Sequence, residues 1–355
     1  MRGWACALSK GVFVALLLLA ALRLSRGADT QGLKAIGIVD FYGLRTLSEA
    51  QLRQALQLKE GDSLSASDEQ AHRRVEEAKQ RLQALPGVIQ ARVNIVCCDA
   101  DKIILYVGIE EEGSQSLHFG SAPQGKVRLP EDAVEAGKSF DKAFMEAIEK
   151  RDFAEDDSQG YALMHYPAAR SVQERFVTIA AAHLRQLRDV LHNSADSGQR
   201  ALAAQVIAYA PQKQAVVQDL VDAMKDPDSE VRNNAMRALW VMAEYAQQHS
   251  QLHIEIPTQP FIAMLNSIEW TDRNKSLFVL AQLTEKRDPA ILADLRKQAL
   301  PSLVEMAHWK ARGHAQPAFF ILGRLGGLSE EEIKSAWDRD PEAVFSAARR
   351  AAKAS

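Results

Sequence analysis

The sequence predicts a mostly helical chain: an array of paired helices, preceded by a small α+β unit of order β-α-α-β-β. Three observations lead to this expectation. An Arg-x-x-small-x-x-x-apolar signature starts at Arg200 and recurs from Arg232, Arg273 and Ala315, at offsets of 32, 41 and 42 residues, the period of helix-pair solenoids. Alanine is abundant and aromatic residues make up only 6% of the chain, which suits closely packed helices. Ahead of the repeats, residues 88–109 show the period-2 alternation of strands.

The chain begins with a stretch of different character. Arg2 and Lys10 form a weakly positive region ahead of GVFVALLLLAAL (11–22), and the small residues Ser25 and Gly27 stand at positions −3 and −1 of a cut. This pattern predicts a secretory signal peptide over residues 1–27, cleaved after Gly27, and a periplasmic or secreted protein. The apolar run is shorter than the roughly 20 residues that span a bilayer. Arg23 and Arg26 near the cut keep an uncleaved signal anchor as the alternative. Without the leader, 39 of the 43 basic side chains remain against 46 acidic ones. That balance excludes the basic footprint of a nucleic-acid binder. No membrane span is expected after cleavage, and Cys97 and Cys98 alone do not make a disulfide scaffold.

The first folded unit is expected over 34–111. KAIGIVDF (34–41) reads as a strand ended by Tyr42-Gly43. Ser48 with Gln51 is a capping box for a short helix, and Lys59-Glu60-Gly61-Asp62 breaks that helix off. Ser67 with Gln70 caps a second helix, whose Ala71, Val75, Ala78, Leu82 and Leu85 keep helical spacing up to Pro86-Gly87. Val93, Ile95 and Cys97 alternate on one strand. Ile103, Leu105, Val107 and Ile109 do so on the next, across the turn Asp99-Ala100-Asp101. One sheet face is thereby available to both helices. Successive strand residues face opposite ways, so Cys97 is expected inside and Cys98 outside, and a bond between them would be strained. The run Gly43-Leu-Arg-Thr-Leu-Ser-Glu, the Lys59-Glu-Gly-Asp-Ser-Leu entry, Arg81-Leu-Gln-Ala-Leu-Pro-Gly-Val and the closing Val107-Gly-Ile-Glu-Glu resemble a POTRA module. That resemblance implies partner binding without catalysis. Such modules usually stand in series or ahead of a barrel, and this chain carries neither arrangement.

Residues 112–171 read as a linker carrying one amphipathic helix, marked by Phe140, Ala143, Phe144, Ala147 and Ile148. Glu155, Asp156 and Asp157 lack EF-hand spacing and are expected as a solvated acidic loop rather than a calcium site.

The helical array is expected over 172–355. Its clearest unit is DPDSEVRNNAMRALWVMA (226–243). Asp226 and Asp228 favour the turn and the helix N-terminus. Arg232 lies one turn further in, placed to pair with such an aspartate in its own or a neighbouring repeat. Arg200 and Arg273 occupy the equivalent positions, so these five residues are assigned to repeat structure. Ala203, Ala235, Ser276 and Ala318 keep the helices close, and GLSEEEIKSAW (327–337), capped by Ser329, begins a closing cap. The pattern Asp226-Pro-Asp-x-x-Val-Arg-x-x-Ala-x-x-Ala-Leu is similar to the HEAT family, closely over 226–239 and more loosely over about 172–340. Long insertions before Pro257 and around 285–308 depart from a uniform array. The family resemblance implies a scaffold that binds proteins, although some related arrays act as lyases or lyase chaperones on pigments.

No catalytic motif, metal site or cofactor is expected. His249 and His253 have i, i+4 spacing without the Glu of a zinc helix, and Ile256-Pro257 break the helix soon after. Projected on a helix, Arg237 and Trp240 point away from the core positions Ala235, Ala238, Leu239 and Met242. The repeat offsets carry position 237 to Phe278 and Phe320. Arg237, Trp240, Phe278 and Phe320 are therefore expected to line a partner groove on the inner surface. The leading expectation is an exported scaffold for another envelope or secreted protein. An accessory chaperone for outer-membrane or secreted proteins is the second. An enzyme with an unfamiliar site in 130–172 is the third, to be recognised by a carboxylate–histidine cluster around Asp156 and His165.

Overall fold

The computed structural model describes residues 34–64, 69–100, 102–114, 117–152 and 154–354, without the side chains of Cys97 and Cys98. The signal peptide, the Ser67 cap and the two cysteine side chains therefore lie outside the described residues.

The N-terminal unit has the expected order with one addition. Strand β1 (Lys34–Tyr42) leads to α1 (Glu49–Leu56), whose capping box between Ser48 and Gln51 is formed. A two-residue strand β2 (Ser63–Leu64) then pairs antiparallel with the start of β1. Helix α2 (Glu69–Gln83), β3 (Val88–Asp99) and β4 (Lys102–Glu111) complete it. The sheet order is β2-β1-β4-β3, with β1 parallel and β3 antiparallel to β4. Ile36, Val39, Ile103, Leu105, Val107 and Ile109 pack under α1 and α2, on the face expected to carry them.

The opposite face is buried as well. Tyr42, Val96, Ile104 and Tyr106 belong to the core of the helical array. The sheet is thus a middle layer between its own two helices and the repeats.

The segment expected as a linker is structured. Residues 117–130 run extended across the ends of the repeats, in the direction opposite to their order. The Gly120 N–H donates to Lys225 O (2.7 Å), Gly125 pairs as a bridge with Ser194, and the Leu129 N–H donates to Gln199 Oε1 (2.8 Å). Helix α3 (Glu131–Glu149) then packs on α4 (Pro167–Asn193), which is kinked at His183. At Gly137 of α3 an added Cβ would lie 2.7 Å from Leu202, so glycine there permits close helix contact. Between α3 and α4, strands β5 (Glu155–Asp156) and β6 (Leu163–Met164) form a short hairpin. The expectation of a solvated loop is corrected here: the hairpin packs against the array through Tyr161 and Tyr209, 5.0 Å apart, and through the Tyr209 hydroxyl, which donates to Ala162 O.

The array continues through α5 (Ser197–Ile207), α6 (Gln214–Ala223), α7 (Ser229–Gln248), α8 (Gln259–Met264), α9 (Trp270–Leu283), α10 (Pro289–Gln298), α11 (Leu300–Ala307), α12 (Arg312–Leu325), α13 (Glu330–Arg339) and α14 (Pro341–Ala354). Helices α5, α7, α9 and α12 stack in succession. Their first residues, 197, 229, 270 and 312, are spaced by the 32, 41 and 42 residues read from the sequence. The small residues at 203, 235, 276 and 318 and the apolar ones at 207, 239, 280 and 322 are all fully buried, one above the other. The insertion around 285–308 is filled by α10 and α11, and Ser329 with Glu332 forms the capping box of α13.

Candidate binding surface

The repeat arginines form an internal ladder. Each guanidinium donates to the carbonyl six residues earlier and to an acid one repeat later. Arg200 holds Ser194 O and both oxygens of Asp226 (2.7 and 2.9 Å). Arg232 holds Asp226 O and Asp272 (2.9 Å), and Arg273 holds Ser267 O and Glu305 (2.6 Å). All three side chains are nearly inaccessible to solvent, at 2 to 3%. The partner of Arg232 is Asp272, inside α9, rather than an aspartate of the Asp-Pro-Asp turn. Asp226 is taken by the preceding rung, and Asp228 caps α7 by accepting from the N–H groups of Glu230 and Val231. Aromatic rings cover two of the rungs: Phe119 of the 117–130 strap lies 3.8 Å from the Arg232 guanidinium, and Tyr42 lies 4.6 Å from that of Arg273.

The expected groove residues do not make an open surface. Trp240 and Phe278 meet at 5.2 Å and are 9% and 4% exposed, and Arg237 is half-buried and paired with Glu155 of β5. Phe320 is half-buried, packed against the same core. The expectation of a free groove at Arg237, Trp240 and Phe278 is corrected: the chain's own hairpin occupies the arginine, and tertiary packing closes over the two aromatic rings.

Burial sets the electrostatics beneath the hairpin. Desolvation, then the charge of Glu155, pushes the Asp157 carboxyl up to about 7. Lys213 donates to the carbonyls of Ala208 and Ala210 at the end of α5, lies over the Tyr161 ring, and is lowered by burial to about 7. Asp156 pairs with Arg170 (3.6 Å) while His165 is exposed, so the structure does not bring these two into a common site. His249 and His253 lie beyond the end of α7, which removes the helical geometry their spacing implied.

The N-terminal sheet makes a second intramolecular contact, one that the periodic signals of the sequence did not announce. Tyr106 stacks on Trp270 (5.2 Å), lies 4.9 Å from Trp309, and its hydroxyl is 2.7 Å from His314 Nδ1. Burial lowers the His314 pKa to about 4, which keeps the ring neutral as the partner of the Tyr106 hydroxyl. The Tyr42 hydroxyl donates to Ile268 O (2.7 Å), and the Gly43 N–H donates to Glu305 Oε1 (2.7 Å), the acid that ends the ladder. Lys310 meets Asp40, and Arg92 meets Glu269, whose carboxyl burial and the nearby Asp272 push up to about 7. Gly108 permits this approach, because a Cβ there would lie 2.2 Å from Ile268 O. The signal that could have found it is the run IILYVGI (103–109). Between the alternating Ile103, Leu105, Val107 and Ile109, the intervening Ile104 and Tyr106 are apolar too, the pattern of a strand buried on both faces.

No family model and no curated protein matches the chain. Among solved structures, a designed armadillo repeat protein is similar over 53% of this chain and 91% of its own, at 16% identity and a TM-score of 0.33. A computationally designed armadillo repeat protein for modular peptide recognition is 17% identical over 53% and 93%, also at 0.33. A third, in complex with the peptide (KR)4, is 15% identical over 53% and 92%, at 0.33. At such TM-scores these likenesses carry no argument about residues or ligands. The repeat-helical architecture rests on the stacked helices and the arginine ladder themselves. No helix among the described residues is long and apolar enough to cross a membrane.

Proposed function

We propose that this chain is an exported, non-catalytic scaffold that binds another envelope or secreted protein, built from HEAT-like repeats that carry a POTRA-like module. The observation that carries the reading is how the array treats polypeptide. It already holds three segments of its own chain, namely the 117–130 strap, the β5–β6 hairpin and the N-terminal sheet, through backbone hydrogen bonds, buried ion pairs and aromatic stacking. Surfaces of this kind bind protein by shape and hydrogen bonding and need no cofactor. The side left open is that of the module, where β3 is the outer strand of the sheet and Ile89 is 50% exposed. A long outer strand offers its backbone edge to an extended segment of another chain; next to Ile89 that segment would displace the Gln83 side chain, which holds Ile89 O and the Ala91 N–H. The same feature supports the second reading, a chaperone that holds strands of outer-membrane or secreted clients.

The test is a photo-reactive residue at Ile89 in the full-length chain, with one at the exposed Leu252, beyond the end of α7, as control. A discrete adduct from Ile89 and none from Leu252 supports the scaffold. A ladder of many adducts from Ile89 favours the chaperone. Absence of adducts at both sites, in protein confirmed to be exported, overturns both. Export is checked separately by the mature N-terminus: cleavage after Gly27 leaves Ala28 first, and an intact leader in the membrane fraction means a signal anchor.

A further inference from the structure

The β5–β6 hairpin divides into a fixed base and a tip held largely by charge. At the base, Leu163 and Met164 are buried, one in the core of the array and the other against α3. The Met164 N–H donates to the Gln173 side chain (2.7 Å), and the His165 N–H donates to Ala154 O (2.7 Å). From Glu155 to Tyr161 the contacts change in kind. Glu155 pairs with Arg237 of α7, Asp156 with Arg170 of α4 (3.6 Å), and Tyr161 lies against Tyr209 and beneath the Lys213 ammonium (4.2 Å). Gly160 closes the turn by donating to Asp157 O, and it fits against Tyr245, whose ring would lie 2.8 Å from an added Cβ. The two strands have two residues each, too few to hold their pairing away from the array.

Asp157 stands apart within this tip. It is half-buried, and its Oδ1 is sealed from solvent without a hydrogen-bonding partner among the described residues. Glu155 and Asp156 flank it on the hairpin, and Glu244 faces it from α7. The nearby cations are committed elsewhere. Arg237 is taken by Glu155, with the buried Lys275 of α9 facing that pair. Arg170 is shared between Asp156 and Glu174, and Lys213 donates to Ala208 O and Ala210 O. The Tyr209 phenol also faces Asp157, and its hydroxyl donates to Ala162 O. An ionised Asp157 therefore sits beside Glu155 and Glu244 with one guanidinium to answer all three, and a proton on it removes that repulsion.

We propose that the tip, residues 155–161, is a proton-controlled latch on the inner surface of the array, seated while Asp157 is protonated and released from Arg237 and Tyr209 as that carboxyl ionises. Release uncovers Arg237, the inner-surface cation that the hairpin occupies when seated. The latch stands on contacts within the chain and holds whether or not the scaffold reading does. The seated state binds the proton more tightly than the released one, because burial, then the charge of Glu155, pushes the carboxyl from an ordinary 3.8 up to about 7. Seating is therefore strongest at acidic pH, weakens as pH rises from about 4 to about 7, and changes no further through this group above that. Lys213, lowered by burial to about 7, stays charged below that value, so the response on the acidic side belongs to Asp157.

Hydrogen exchange of the full chain, read by mass spectrometry on a peptide covering 155–162, tests the latch. Asp157→Asn is measured beside wild type at each pH, so that the intrinsic pH dependence of exchange cancels in their ratio. The ratio of wild type to variant should rise about tenfold between pH 5 and pH 6, continue upward toward pH 7 and then level off. For peptides of α7 and α9 the same ratio should stay constant, because the array itself does not open. A ratio for 155–162 that is flat from pH 5 to pH 7 overturns the latch. An equal rise in α7 overturns it as well, since the proton then governs unfolding of the array rather than release of the tip.

Discussion

Replacing Arg232 with methionine removes the middle rung of the ladder and leaves its partner behind. The guanidinium donates to both oxygens of Asp272 and to the carbonyls of Asp226 and Pro227, and Phe119 lies on its face. Asp272 is fully buried and its carboxyl is already raised by burial, against the pull of Arg232. Without the arginine, its remaining side-chain partner is the hydroxyl of Ser267. Breaking one side of a buried pair costs about 3–5 kcal/mol, because the uncompensated charge stays in the core. Removing both charges leaves no such charge behind, so Arg232→Met combined with Asp272→Leu should recover at least about 2 kcal/mol of that loss. An exposed pair gives the contrast: Arg73→Ala, against Glu69, should change stability by no more than about 1 kcal/mol. Urea unfolding of wild type, these three variants and Asp272→Leu alone, with tryptophan fluorescence as the signal, measures all of this. The reasoning fails if Arg232→Met lies within about 0.5 kcal/mol of wild type, the range of an ordinary surface change, or if the two substitutions simply add.

The same geometry sets three further outcomes. The Asp157 carboxyl titrates near 7 in the folded chain against an ordinary 3.8, so the folded state holds its proton longer and stability falls as pH rises from about 4 to 7; Asp157→Asn should match wild type below that window and exceed it by about 2–4 kcal/mol above, as melts across pH will report. Gly108→Ala drives a Cβ into Ile268 O and the Tyr42 ring, an overpacking of about 1–3 kcal/mol that should loosen the sheet from the repeats; tryptic cleavage at Lys126 or Arg128 should then accelerate, and an unchanged rate argues against it. Ser329→Ala removes the cap that accepts from the Glu332 N–H, a loss of about 1 kcal/mol, and hydrogen exchange should quicken in the first turn of α13 while α7 and α9 stay protected.

The features legible in the sequence are those whose cause is local or periodic. The starts of α5, α7 and α9 are marked by the recurrence of one arginine and one small residue, and that of α12 by the small residue alone, since every repeat meets its neighbour through the same positions. The capping boxes at Ser48 and Ser329 each act within four residues. The arginine recurs because it must reach a carbonyl six residues back, a distance set by the helix entry. Its acid does not recur: Asp226, Asp272 and Glu305 come from a turn, a helix and an inserted helix, at separations of 26, 40 and 32 residues. No period can find such partners.

The placement of the non-repeating pieces is settled only when distant parts of the chain meet. Glycine, serine and proline in 112–130 report an extended backbone without a side-chain pattern. They do not report that Gly120 and Gly125 place their amides on the ends of two repeats. Arg237 reads as an exposed inner-surface residue until Glu155, 82 residues earlier, is laid against it. The sheet's second face was written in its consecutive apolar run, yet that run does not say what covers it. Pattern alone therefore dictates a stack of helices, its register, and a small sheet with one face under two helices. Tertiary packing closes the stack's inner surface from within, because burying Tyr42, Tyr106, Trp270 and Trp309 together removes more apolar surface from water than either unit alone can hide.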